Sequence, residues 1–182
     1  GEVTVMDRSL HQHLLGLLPR LTAFARVLLN DHDGAGDLVQ EAVSRALAAR
    51  RVPIDAPAYR AWMFKIVRNA WIDEVRRKQM RAIDDDPPAE AIPENESWNF
   101  DDRMIAELTV RQGLERLEQA SREVIELVDL FGFRYAEAAI ILNLPVGTVM
   151  SRLSRARLAL IEAIAESNVT LLHAPRRWRQ RQ

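Results

Sequence analysis

Residues 83–102, IDDDPPAEAIPENESWNFDD, hold eight acids, three prolines and no basic residue, with no sustained helical period. Such a segment has no apolar face to bury and repels itself, so it reads as an exposed tether stiffened by proline. On both sides apolar residues recur every three or four positions, and strand-like alternation is absent. The chain is therefore expected to be all-α, with two small helical domains joined by an acidic, proline-containing linker. The expected parts are a first domain over 8–82, the linker over 83–102, a second domain over 103–166 and a basic tail over 167–182. A net charge of −1 hides this segregation, because residues 1–82 carry +4, residues 83–102 carry −8 and residues 103–182 carry +3.

At 182 residues and 48% hydrophobic content, each domain can fill a core. The absence of cysteine excludes disulfides and thiolate metal ligands and fits a reducing compartment. No apolar run approaches the roughly 20 residues of a membrane span. The opening GEVTVMDRSL lacks the charged-then-apolar layout of a secretory leader. A cytoplasmic protein without membrane contact is expected.

In the first domain, LHQHLLGLLPRLTAFARVLL predicts one helix, or two meeting near Pro19. After NDHDGAG, Asp37 and Gln40 have capping-box spacing at the start of DLVQEAVSRALAAR, and Glu41 adds negative charge to the first turn. AYRAWMFKIVRNAWIDEVRRK predicts a long helix with Tyr59, Trp62, Ile66 and Ala70 as its buried stripe. In the second domain, MIAELTVRQGLERL and SREVIELVDLF predict two helices, the latter starting at Ser121 and ending at Gly132. YAEAAIILN is a short helix, LPVG a turn with Pro145 at the first helical position, and VMSRLSRARLAL a longer helix.

Short helix, tight turn and longer basic helix form a helix-turn-helix pattern. In the last helix Val149, Leu153, Ala156 and Leu160 make the stripe expected to pack on the preceding helix. Thr148, Ser151, Arg152 and Arg155 fall on the other side, where hydroxyls and guanidiniums suit phosphates and guanine edges. Arg152, Arg155 and Arg157 have no acid between Glu137 and Glu162. A basic helix face is often merely solvated; the preceding helix and turn favour a DNA recognition helix.

GFRYAEAAIILNLPVGTVMSRLSRARLAL resembles the region-four domain of the extracytoplasmic-function (group IV) bacterial sigma factors. DLVQEAVSRAL followed by AYRAWMFKIVRNAWIDEVRRK resembles their region-two domain, and the paired match covers roughly residues 10–165. The general-stress branch of alphaproteobacteria is the subgroup suggested. The resemblance implies a subunit that docks on core RNA polymerase, selects a promoter and helps melt it, with no catalytic residues or cofactor of its own. Asp37, Gln40 and Glu41 become candidate polymerase-docking residues, although Asp37 and Gln40 also serve as a cap. Arg134, Tyr135, Thr148, Ser151, Arg152 and Arg155 become candidates for the upstream promoter element. Arg134 stands where relatives often carry a small hydroxyl residue, so an N-cap is exchanged for a side chain that reaches a phosphate.

For the melted downstream element the candidates are Lys65, Arg68, Asn69, Trp71, Arg76 and Arg77. Lys65, Arg68, Arg76, Arg77 and Lys78 supply charge for the backbone, and Asn69 can pair with a base edge. Trp62, Phe64 and Trp71 are rings on which an unstacked base can sit, with core burial the competing use of Trp62. The resemblance also places a flipped-base pocket partly in the loop from Arg50 to Pro57. Promoter DNA, core polymerase and an anti-sigma protein are the implied partners, and no small-molecule substrate is expected. Arg176, Arg177, Arg179 and Arg181 of the tail either touch phosphates or only aid solubility.

A helix-turn-helix regulator acting without polymerase would explain the second domain but leave the aromatic and basic helix of the first unused. An adaptor clasped by a regulatory partner is compatible with sigma function. An enzyme is the weakest reading: His11, His13, His32 and His173 are scattered, and no acid pair, phosphate loop, nucleophile motif or metal-ligand spacing is present.

Overall fold

A computed structural model describes residues 8–29, 33–82 and 102–173. All regular structure among them is helical: α1 (Arg8–Leu29), α2 (Ala35–Leu47), α3 (Ala56–Ala82), α4 (Asp102–Glu115), α5 (Gln119–Ile125), α6 (Tyr135–Leu142) and α7 (Val146–His173). The chain divides into two compact units, one built on α1–α3 and one on α4, α5 and α7. The expected linker lies outside the described residues apart from Asp102, which opens α4, and so do the tail arginines and His32.

α1 is a single helix through Pro19. Pro19 stands on its exposed side, where water can meet the carbonyl that loses its donor. Its other side buries Leu14, Leu21, Phe24, Ala25 and Leu28, and all three helices of this unit pack on one another. Phe24 and Phe64 meet at 4.9 Å between ring centroids, tilted by 31°, within the offset geometry that aromatic pairs favour.

Two expectations for this unit are corrected. α2 starts at Ala35 behind Gly34, which offers no side-chain cap, so the capping box of Asp37 and Gln40 does not form. Asp37 instead occupies the first turn, where its charge still meets the positive helix end; Glu41 lies beyond that turn. The buried stripe of α3 is Tyr59, Met63, Val67 and Ala70, with Phe64 beside it, while Trp62 and Ile66 are half-buried. Both stripes have helical spacing from Tyr59, and packing against α1 and α2 selects between them. The Trp62 ring rests on Tyr59, with centroids 5.7 Å apart. The true cap of α3 is Asp55, whose carboxylate accepts the Ala58 N–H at 3.1 Å.

In the second unit α7 packs against α4 and α5. Its stripe of Val149, Leu153 and Ala156 is buried as expected, but these two helices, not the immediately preceding α6, are its extensive neighbours. Gly113 lets α4 approach α7 closely: a Cβ there would stand 3.0 Å from Leu160 and Ile164 side-chain carbons. α5 begins at Gln119, two residues before Ser121, with the Glu118 carbonyl accepting from Ser121 and Arg122. It continues as a π-helical turn over Glu126–Leu130. Phe131 donates to the Glu126 carbonyl at 2.8 Å and buried Phe133 to Leu127 at 3.0 Å across Gly132. Gly132 ends the helix as expected, at φ 72°, a conformation that glycine adopts without steric cost.

α6 ends at Asn143, which has φ 54°. Pro145 lies one residue outside α7, not at its first helical position; its carbonyl accepts the N–H groups of Thr148 and Val149 at 3.0 and 3.1 Å.

The π-helical turn carries a buried carboxyl. Glu126 is 4% exposed, and burial pushes it up to about 8, with Arg122 pulling the other way and Glu123 adding to the rise. Between the ordinary carboxylate range and about 8, the folded state holds a proton that the unfolded chain has released. Stability of the second unit is therefore expected to be greatest at acidic pH, to fall as pH rises through that window and to level off above it. Glu126→Gln should flatten this dependence, as read from urea midpoints of Leu127 and Ile141 methyl resonances. An equal slope in both proteins would contradict the assignment.

Candidate nucleic-acid interface

Thr148, Ser151, Arg152 and Arg155 follow one another by three, one and three residues, so α7 places them on one side. Val149, Leu153 and Ala156 hold the adjoining side in the core. Ser151 and Arg155 are exposed, and Thr148 and Arg152 are half-buried at the edge of the packed surface. The Ser151 hydroxyl donates to the Thr148 carbonyl at 3.2 Å, and Arg155 Nε to the Ser151 carbonyl at 3.4 Å. These local bonds lay the side chains along the helix with guanidinium donors still available. Glu162, two turns beyond Arg155, shares the face and ends the basic stretch.

Arg134 precedes α6 and is exposed. Its backbone N–H donates to Glu137 Oε2 at 2.8 Å, so one half of a capping box forms without a hydroxyl at the cap. The Arg134 side chain is thus not needed to start the helix. Tyr135, the first residue of α6, is 38% exposed.

Arg157 leaves the basic face. It follows Arg155 by two residues, about 200° round the helix. Its Nε and Nη2 donate to the two carboxylate oxygens of Asp129 at 3.0 and 2.6 Å. Hydrogen bonding to Asp129 raises its already high proton affinity, and Tyr135 adds to the effect. The stretch lacks an acid in sequence, but the π-helical turn supplies one in space. Sequence reasoning missed this pair because its members stand 28 residues apart.

On α3, Lys65, Arg68, Asn69 and Arg76 recur at three, four and eleven residues from the first and share the side opposite Met63, Val67 and Ala70. Asn69 and Arg76 are exposed; Lys65 and Arg68 are half-buried. Trp71 and Arg77 point to the two flanks of this face. Trp71 is half-buried, and Arg77 Nε donates to the Asp73 carbonyl at 3.3 Å. Lys78 pairs with Glu74 at 2.9 Å.

Asp37, Gln40 and Glu41 form one exposed patch on α2. Arg45 stands behind it, reaching Glu41 at 2.9 Å and Asp73 of α3 at 2.7 Å. One guanidinium thus ties the α2 patch to the helix that carries the second basic face. The pairing of Arg45 with Glu41 is visible in sequence as an i, i+4 pair; the link to Asp73 is not. Among the described residues, no group of acids or histidines could hold a metal ion.

Two family models match this chain: Sigma-70 region 2 over residues 15–81 and Sigma-70 region 4 over residues 102–160. An extracytoplasmic-function (ECF) RNA polymerase sigma factor, EcfG of Rhodopseudomonas palustris (strain TIE-1), is 35% identical over 149 residues, 82% of this chain and 81% of that protein. ECF sigma factor SigC of Mycobacterium tuberculosis (strain CDC 1551 / Oshkosh) is 33% identical over 150 residues, covering 78% and 76% of the two chains. Among solved structures, the sigma factor RpoE of Bartonella quintana, in complex with the anti-sigma factor NepR, aligns with TM-score 0.70 and 32% identity, over 87% of this chain and 98% of its own. With both domain models in order and relatives matched over most of their length, the chain belongs to the extracytoplasmic-function sigma factors of bacterial RNA polymerase.

Proposed function

We propose that this sigma factor docks on core polymerase through Asp37, Gln40 and Glu41, reads duplex upstream DNA with α7 and engages melted downstream DNA with α3. The observation that carries the reading is the division of α7 between a buried apolar stripe and a side bearing Thr148, Ser151, Arg152 and Arg155. In a major groove, Arg152 and Arg155 offer paired N–H donors to guanine edges or phosphates, and the two hydroxyls donate to the backbone. Arg134 and Tyr135, ahead of α6, add contacts to the same duplex.

On α3, Lys65, Arg68 and Arg76 hold a phosphate backbone while Asn69 meets a base edge. Trp71 and Arg77, on the flanks, contact the strand only where it bends around the helix. Unstacking a base costs a few kcal/mol, which stacking on a ring and hydrogen bonding at its edge offset. Docking to polymerase holds both modules on one promoter, so each can bind weakly by itself.

The resemblance to the NepR-bound RpoE, and a fold shared with a PhyRSL–NepR complex from Sphingomonas sp. Fr1 (TM-score 0.64, 18% identity), support an anti-sigma partner and the general-stress branch. A cytoplasmic location follows from action on polymerase, and no described helix is long and apolar enough to cross a membrane. A regulator working without polymerase is not favoured, since it leaves the region-two module unused. As an initiation factor the chain needs no reaction chemistry of its own.

Run-off transcription with core polymerase on a promoter library tests the whole reading; failure of the inhibitor-free chain to associate with polymerase would overturn it. Arg152→Ala and Arg155→Ala should each lower transcription from the cognate promoter by about tenfold or more, in the range of a lost bidentate base contact, with an unchanged circular dichroism spectrum. Wild-type transcript levels would remove these residues from the interface. Lys65→Ala and Asn69→Ala should leave closed-complex formation near normal and reduce permanganate reactivity of the melted region severalfold, by about the loss of one stacking or edge contact. Normal melting in both would argue against the α3 assignment.

A further inference from the structure

Arg157 lies on the recognition helix but not on its DNA-facing side. Thr148, Ser151, Arg152 and Arg155 cluster in one direction, and Arg157 leaves the helix on nearly the opposite side, beyond the buried stripe. There it meets Asp129 as a two-pronged pair, at 3.0 and 2.6 Å. Such a fork fixes direction as well as distance, because both N–H vectors must meet both carboxylate oxygens. Tyr135 of α6 interacts with the same guanidinium. The side chains of Arg157 and Asp129 are 47% and 34% exposed, so the pair adds little to global stability. Its geometry is better suited to setting the rotation of α7 than to holding the domain together.

Asp129 owes its place to the π-helical turn, in which each residue advances less around the axis than in an α-helix. The fork therefore connects three neighbouring pieces: the turn that ends α5, the first residue of α6 and the middle of α7. We propose that Arg157 is a positioning residue for upstream-element reading: clasped by Asp129, it sets the rotation of α7 so that Ser151, Arg152 and Arg155 meet the groove together, without touching DNA itself. This inference rests on the assignment of α7 as the upstream reader.

The test uses holoenzyme reconstituted from core polymerase and the full chain. Transcription is measured on a promoter with its upstream element intact and on one with that element scrambled, over a series of salt concentrations. The ratio between the two promoters reports upstream reading, and a general loss of folded protein cancels from it. Arg157→Ala and the near-isosteric Asp129→Asn should each lower the ratio by about three- to tenfold, and the double variant should be no worse than either. Exchange of the pair, Arg157→Asp with Asp129→Arg, should recover most of the ratio. The salt dependence of promoter binding should keep its wild-type slope in Arg157→Ala.

A slope lowered by about 0.9 would mean a lost phosphate contact and would overturn the proposal. A wild-type ratio in Asp129→Asn would overturn it equally. Arg152→Ala separates the two levels of inference. If it lowers the ratio while Arg157→Ala does not, positioning alone is wrong. If it leaves the ratio unchanged, the upstream assignment of α7 falls, and the role of Arg157 falls with it.

Discussion

Burial of Val149, Leu153 and Ala156 is the constraint from which the rest of the second unit follows. Once that stripe is committed to the core, the period of the helix decides where every polar residue on α7 must go. The hydroxyls and two of the arginines are left in solvent as a set, without any interaction of their own to gather them. Gly113 strengthens the arrangement by removing the side chain that would hold α4 away from Leu160 and Ile164. The first unit follows the same rule, with Met63, Val67 and Ala70 buried and Lys65, Asn69 and Arg76 turned out.

Packing settles which side of a helix is buried, and charge pairs then refine direction. Arg45 and Arg157 act alike here: each leaves its own helix to reach an aspartate on another segment, Asp73 or Asp129. Both pairs are partly exposed, so their contribution to stability is modest. What they provide is a preferred orientation between neighbouring elements that apolar contact, being non-directional, leaves loose.

The parts legible in the sequence were those governed by local rules. Helical periodicity located every helix, Gly132 marked a stop because only a left-handed turn follows there, and the spacing of Thr148, Ser151, Arg152 and Arg155 placed them together. Errors arose where distant contacts decide. Asp37 has the spacing of a cap, yet α2 gains two more residues before it because Ala35 and Leu38 are drawn into the core. Trp62 has the spacing of a core residue, but Met63 and Phe64 fit the space between α1 and α2, and Trp62 is left against Tyr59. Arg157 read as part of a bare positive stretch because its partner lies 28 positions away in sequence. The π-helical turn has no mark in its local composition.

That widened turn also limits how this protein family can drift. A π turn accommodates one residue more than an α turn over the same span, so losing a single amino acid between Glu126 and Leu130 would leave an ordinary helix. The chain would still fold into recognisable helices, but everything after the lost position would swing by about 100° relative to what precedes it. Asp129 would no longer aim at its guanidinium, and the carboxyl of Glu126 would be re-aimed within the interior. Insertions and deletions should therefore be purged from this short span while the neighbouring connection before Gln119 tolerates them, giving an evolutionary signature that depends on length and not on residue identity.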